Sequence, residues 1–258
     1  LQSKLALLKS SKRQVVNSSL LKKIPKMFKD ITFMQRDEKD TEIQVSGKIT
    51  KEEYIICSIK NSKFIINNKG FEVSIKESKL LGDHNDLNIA AAFAAFRCLD
   101  ISFSNYQDVL KSFNGAPHRI EWTREVNGVI FYNDSKATNV ASTVAALQCF
   151  KDKNIFLIAG GDSKQLSLEP LKKYLNKNVP HLFLIGKDAL VIKKLFEKLN
   201  NLKITICNDL SVAVNAAFDQ ATAGDIILLS PSCSSHDMYQ NYVERGKHFN
   251  KIVRSLRN

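Results

Sequence analysis

The sequence predicts an α/β protein in two parts, the second a mainly parallel sheet covered by helices on both faces. Three observations carry this. Four short apolar runs, NIFLIAGG, HLFLIG, KITIC and DIILLSP, recur in the second half, each followed by a helical stretch of about 10 to 13 residues. A strand, Asn127-Gly128 and a second strand stand just before them between Ile120 and Asp134, and Asn-Gly is a strong hairpin signal because both residues tolerate positive φ. The stretch SFNGAPHR, with Gly115 and Pro117, interrupts regular structure and places a domain boundary near residue 115.

Taken in order, residues 2–10 are assigned a helix, and residues 53–75 alternate strand-like runs with turns. EYIICSIK, SKFIINN and FEVSI read as an antiparallel patch, with Asn68-Lys69-Gly70 as one of its turns. After Gly82, LNIAAAFAAFRCL is rich in helix formers with apolar side chains on every face, so a buried helix is expected there with His84-Asn85 at its N-terminal mouth. In the parallel sheet that follows, ligands bind beyond the carboxyl ends of the strands. This points to the loops 133–139, 160–164 and 230–238.

Composition excludes several classes of protein. No apolar run approaches the roughly 18 residues a membrane span needs, and residues 1–15 mix Leu, Lys, Ser and Arg without the plan of a secretory leader. The five cysteines include no C-x-x-C pair, so neither a disulfide framework nor a zinc ribbon is expected, and a reducing cytoplasm is. The net charge of +12 is diffuse: 17 Lys or Arg against 9 Asp or Glu in residues 1–80, 2 against 4 in 81–115, and 19 against 13 in 116–258. No aromatics interleave with the basic residues as in RNA-binding signatures, so the sign is assigned to attraction of anionic small molecules, not nucleic acid.

Each loop has a plain reading beside a functional one. Asn133-Asp134-Ser135-Lys136-Ala137-Thr138-Asn139 is polar at six of seven positions at a strand-to-helix junction. A helix N-cap at Ser135 or Thr138 would account for one residue; an anion site beside Lys136 and Thr138 would account for the run. Gly160-Gly161-Asp162-Ser163-Lys164 permits a tight turn and close approach of a ligand, with Lys164 as a carboxylate clamp or as a solvated lysine. Ser230-Pro231-Ser232-Cys233-Ser234-Ser235-His236-Asp237 places Ser, His and Asp too close in sequence to form a triad, and G-x-S-x-G is absent. Backbone amides and hydroxyls that hold a small anion are expected there, not a Ser or Cys233 nucleophile. None of the ten glycines has P-loop spacing, so no phosphate cradle of that kind lies in this sequence.

Together, HNDLN at 84–88, APHR at 116–119, NDSKATN at 133–139, GGDSK at 160–164 and SPSCSS at 230–235 resemble the Mur ligases. Within them they are similar to the enzymes that add D-glutamate to UDP-N-acetylmuramoyl-L-alanine. The resemblance implies that residues 1–115 are the latter part of a central ATPase domain and 116–258 a C-terminal Rossmann-like domain. The N-terminal UDP-binding domain and the P-loop would be missing. It further implies ATP and Mg²⁺ as cofactors, a cytoplasmic monomer, and phosphoryl transfer to a carboxylate followed by attack of the D-glutamate amine.

By the same resemblance Asn85, Asn88, Arg119, Asp134 and Lys136 contact the nucleotide, with Lys136 near the phosphates and counted as catalytic. Thr138, Lys164, Ser235, His236 and Tyr242 form the D-glutamate site, His236 and Tyr242 through backbone. Lys4, if carbamylated, would become an anionic oxygen ligand for magnesium. His236 departs from the apolar residue the family leads one to expect. The alternatives are another Mur or folylpolyglutamate synthase-type ligase, or a non-catalytic binding module.

Overall fold

The computed structural model describes six strands between residues 14 and 74, residues 78–82, 84–86, 88, 89 and 92, and residues 106–257. The chain divides into two compact units, Leu1–Phe113 and Asn114–Asn258. The first contains β1 (Gln14–Asn17), β2 (Ile31–Arg36), β3 (Ile43–Thr50), β4 (Glu53–Lys60), β5 (Lys63–Ile66) and β6 (Phe71–Ser74), paired in that order. β1 runs parallel to β2 and each later pair is antiparallel. The antiparallel patch expected over residues 53–75 is therefore present as β4 to β6, within a larger sheet.

The helix assigned at 2–10, the turn at Asn68–Gly70 and Lys4 lie outside the described residues. In the helix expected after Gly82, His84, Asn85 and Asp86 are already helical, and the Asn85 amide donates to the Gly82 carbonyl at 2.9 Å. Ile89 is buried but Asn88 and Ala92 are exposed, so the described positions are not buried on every face. Helix α1 (Tyr106–Ser112) follows, its Tyr106 hydroxyl donating to the Ile89 carbonyl at 3.2 Å.

The second unit opens with the hairpin β7 (Glu121–Val126) and β8 (Val129–Asn133), turned by Asn127 (φ 52°) and Gly128 (φ 78°). Both residues take the positive φ that a two-residue type I′ turn requires. The sheet is completed by β9 (Ile155–Gly160), β10 (His181–Ile185), β11 (Lys203–Ile206) and β12 (Ile226–Leu229), in the order β11-β10-β9-β12-β8-β7. All of it is parallel except β7. Every residue of β9, β10 and β12 is buried, which explains why these strands are continuous apolar runs and not alternating ones.

The helices are α2 (Val140–Cys149), α3 (Lys172–Asn178, after a 3₁₀ turn at Glu169–Leu171), α4 (Ala189–Phe196), α5 (Leu210–Phe218) and α6 (Tyr242–Ser255). At 7, 8 and 9 residues, α3, α4 and α5 are shorter than the expected 10 to 13. Around α3 the causes are visible: Pro170 opens a 3₁₀ turn first, and Val179, which precedes Pro180, is pushed into extended backbone. Alternate strand residues feed opposite faces. Phe131, Ile158, Phe183, Ile227 and Leu229 pack against Leu210, Val214, Phe249 and Val253 of α5 and α6. Leu157, Ala159 and Leu182 face Leu171, Leu175, Ile192 and Phe196 on the other side. Each fully buried Leu or Phe contributes about 1.5–3 kcal/mol.

From β9 the chain winds outward through β10 and β11 and then returns to place β12 on the opposite flank of β9. That reversal is a topological switch point, where the loops beyond adjacent strand ends diverge and leave a crevice.

Candidate functional site

Three loops leave the carboxyl ends of β8, β9 and β12 around this crevice. In the first, Asn133 is fully buried and accepts the Ser135 amide at 3.1 Å, while its side-chain amide reaches the Gly246 carbonyl (3.0 Å) and Asn250 Oδ1 (2.8 Å) on α6. Asn139 caps α2 by accepting the Ser142 amide at 3.0 Å. The cap expected at Ser135 or Thr138 is thus displaced by one or more residues. Ser135 instead donates its hydroxyl to the Tyr242 carbonyl at 2.8 Å.

Asp134 is turned inward. One carboxylate oxygen accepts the Ser230 hydroxyl at 2.7 Å and the other the Ile120 amide at 3.2 Å. That second bond helps hold Ile120 at φ 47°, a strained value for a β-branched residue, beside His118 at φ 62°. Burial pushes the Asp134 carboxyl up to about 7 against the pull of Ser230, the Ile120 amide and the Arg119 guanidinium.

Because the folded value lies above the unfolded one, this group's contribution to stability is complete below about pH 4 and is lost as pH rises through about 7. Asp134→Asn should remove that loss. Stabilities of the two proteins from urea unfolding are expected to converge toward pH 4 and to separate by up to a few kcal/mol at pH 8, the variant being the more stable. Identical pH slopes would refute the assignment.

Arg119 is exposed at the loop's rim. Lys136 donates its amide to the His118 carbonyl at 3.0 Å and places its ammonium 3.8 Å from the centre of the Tyr242 ring. The His118 ring, 6% exposed, fills the space over Gly246, where any Cβ would collide with it. Burial lowers the pKa of His118, against the Glu121 carboxylate 3.6 Å away.

The second loop is fixed by close backbone approach. Gly160 (φ 116°) and Gly161 (φ 124°) have no room for a Cβ, which would strike the Ile185 and Ser234 carbonyl oxygens respectively. Asp162 and Ser234 exchange both amide-to-carbonyl bonds, at 3.1 and 2.9 Å, joining the second loop to the third. Asp188 accepts the Ser163 amide and hydroxyl at 2.8 and 2.6 Å, bonds that lower its pKa. Lys164 and Gln165 then take positive φ of 51° and 60°, an uncommon pair for residues with side chains.

In the third loop Cys233 is 1% exposed and burial pushes its thiol up to about 12, so it is not a nucleophile at neutral pH. Among the described residues no hydrogen bond joins the side chains of Ser234, Ser235, His236 and Asp237 to one another, in keeping with the absence of a triad. Asn241 caps α6, accepting the Val243 and Glu244 amides at 2.9 and 3.0 Å.

The three loops and the start of α6 enclose a pocket of about 200 Å³. Thr138, Lys164, Ser235, His236 and Tyr242 all line it, joined by Asp162, Ser163, Leu166, Ser234 and Asn241. Its size is below the roughly 300–1,000 Å³ of drug-sized pockets and suits a molecule as small as an amino acid. Hydroxyls and the Lys164 ammonium supply donors to acidic groups, while Leu166 and Tyr242 supply apolar wall.

Not every candidate meets there. Asn85 and Asn88 belong to the first unit, where Asn88 donates to Asn85 at 2.9 Å and Asn85 to the Leu81 carbonyl at 2.8 Å. Arg119 and Lys136 lie outside the residues that line the pocket, and both oxygens of Asp134 are already engaged within the protein. No group of three or more His, Cys, Asp or Glu close enough to hold a metal ion occurs among the described residues.

Sequence reasoning missed Arg245, 1% exposed on α6. The signal was available: Arg245 shares the i, i+4, i+8 stripe with Phe249 and Val253, so a cation sits in the apolar face of the helix.

Residues 118–233 match the family described as Mur ligase, glutamate ligase domain. A UDP-N-acetylmuramoylalanine–D-glutamate ligase from Clostridium tetani is 36% identical over 251 residues, covering 88% of this chain and 54% of the relative. One of the same description from Bdellovibrio bacteriovorus is 41% identical over 184 residues, covering 71% and 39%. The chain thus spans about half the length, or less, of the curated relatives it matches. A pseudomurein peptide ligase type C from Methanothermus fervidus shares the fold with a TM-score of 0.63 at 16% identity, covering 99% of this chain and 59% of that one.

Proposed function

From a chain that carries a Mur ligase C-terminal domain, we propose that residues 116–258 bind D-glutamate and present its amine to an activated UDP-N-acetylmuramoyl-L-alanine. Residues 1–115 would belong to the ATP-binding domain of the same ligase, a cytoplasmic monomer in peptidoglycan precursor synthesis. The observation that carries this is the pocket at the switch point, small and donor-rich, with Lys164 at its edge. Lys164 pairs with one carboxylate of the amino acid, and the Thr138 and Ser235 hydroxyls donate to the other. Ser234 and Ser235, held by the Asp162 bridge, keep those donors in place without the ligand's help.

ATP, when bound, supplies the phosphoryl group that activates the muramoyl-alanine carboxylate. With ADP released in that transfer, the unprotonated amine of D-glutamate then forms the amide C–N bond as the acyl–phosphate C–O bond breaks, and phosphate leaves with the electron pair and takes up the proton the amine gives up. Arg119 and Lys136 offset negative charge on the phosphoryl oxygens. Lys136 reaches them by leaving the Tyr242 ring, a contact worth only about 0.5–1 kcal/mol at a half-exposed site. Asp134 acts from beneath, fixing the loop that carries Lys136 and Thr138.

Phosphate release by the full-length protein with ATP, Mg²⁺ and UDP-N-acetylmuramoyl-L-alanine tests the reading. Release should require D-glutamate and not occur with meso-diaminopimelate or L-alanine. Release driven by either of those, or none with any amino acid, would overturn it.

A further inference from the structure

Arg245 carries a positive charge into the core of the second unit, where it is the largest fully buried side chain. Burial lowers its pKa to about 10, so it remains charged at neutral pH. Among the described residues it has no carboxylate within ion-pair distance. Its partners are all on two loops of the pocket. Nε donates to Ser135 Oγ at 3.1 Å, and one terminal nitrogen donates to the Ser135 carbonyl at 3.0 Å and the Cys233 carbonyl at 3.3 Å. Ser135 passes the link on, its hydroxyl donating to the Tyr242 carbonyl.

The Asp237 carboxylate offsets part of the cost of burying this cation, but not through a direct ion pair, and an apolar residue of the same length would fill the space. What the guanidinium does that an apolar residue cannot is bond two chain segments at once in a fixed planar geometry. Ser135 lies three residues before Thr138, and Cys233 two before Ser235. We propose that Arg245 is a positioning residue for the amino-acid substrate, setting the separation of Thr138 and Ser235 across the pocket by clasping the loops that carry them. The proposal rests on the reading of the pocket as the D-glutamate site. Lysine would keep the charge but not the planar fork, so position, not charge alone, is what is lost in Arg245→Lys.

The test is steady-state kinetics of the full-length protein and of Arg245→Met, Arg245→Lys and Ser135→Ala. Arg245→Met should raise the KM for D-glutamate by about tenfold or more, with the KM values for ATP and UDP-N-acetylmuramoyl-L-alanine within about twofold of wild type. Arg245→Lys should recover less than half of that loss, and Ser135→Ala, which removes one acceptor, should raise the same KM by about two- to fivefold. An unchanged D-glutamate KM in folded Arg245→Met overturns the proposal, as does a common shift in all three KM values. Should Arg245→Met not fold, Ser135→Ala decides alone, and an unchanged D-glutamate KM there overturns it. A wild-type protein that does not use D-glutamate would instead defeat the functional reading.

Discussion

Gly161→Ala is expected to lower stability by roughly 3 kcal/mol or more and to abolish amino-acid use in whatever fraction still folds. Two costs act together. A φ of 124° lies beyond the left-handed region that side chains with a Cβ occasionally adopt, and the added Cβ would run into the Ser234 carbonyl oxygen and meet Cys233 Cβ at 3.3 Å. Relief requires the second and third loops to part, which breaks the paired bonds between Asp162 and Ser234 and opens the pocket wall. Gly224→Ala serves as the control, since φ is 94° there but a Cβ would meet nothing within 4 Å. Equal midpoints for Gly161→Ala and Gly224→Ala in chemical denaturation would show that the close approach is unimportant.

Lys164→Ala should be the most damaging single change to activity that leaves the fold intact. Removing one partner of a charge pair that becomes desolvated on binding costs about 2–5 kcal/mol, or roughly thirtyfold to several thousandfold in kcat/KM for D-glutamate. The side chain is on a surface loop and its ammonium makes no hydrogen bond among the described residues, so the melting temperature should stay within about 2 °C of wild type. Lys164→Arg should recover only part of the loss, since the guanidinium's broader fork does not place its charge where the ammonium sits. A kcat/KM within threefold of wild type would remove Lys164 from the site.

The parallel sheet was legible because β9, β10 and β12 are buried on both faces, and burial on both faces writes an unbroken apolar run into the sequence. The β7–β8 hairpin was legible because Asn127-Gly128 is chemically committed to its turn. The lengths of α3, α4 and α5 were not: around α3, Pro170 delays the start and Pro180 forces the stop, while α4 and α5 end at Phe196 and Phe218 with no proline beside them to mark the place. The pocket was legible loop by loop, through polar runs placed after apolar strands. Its assembly was not: the Asp162–Ser234 bridge joins residues 72 apart in sequence, and the buried role of Arg245 depends on which loops α6 meets.

The position of β12 has a further consequence. It is the last strand of the second unit to leave the ribosome, yet it lies between β8 and β9, and its loop supplies Ser234 and Ser235. Until it arrives, β8 and β9 each present an open, apolar edge, the kind of surface that recruits other chains. Synthesis therefore passes through a window in which most of the domain is made but its middle is missing, and the non-local pairing that closes it is slow by nature. Aggregation of nascent chains should track variants that delay β12, such as polar substitutions in Ile226–Leu229, more closely than variants at the pocket itself.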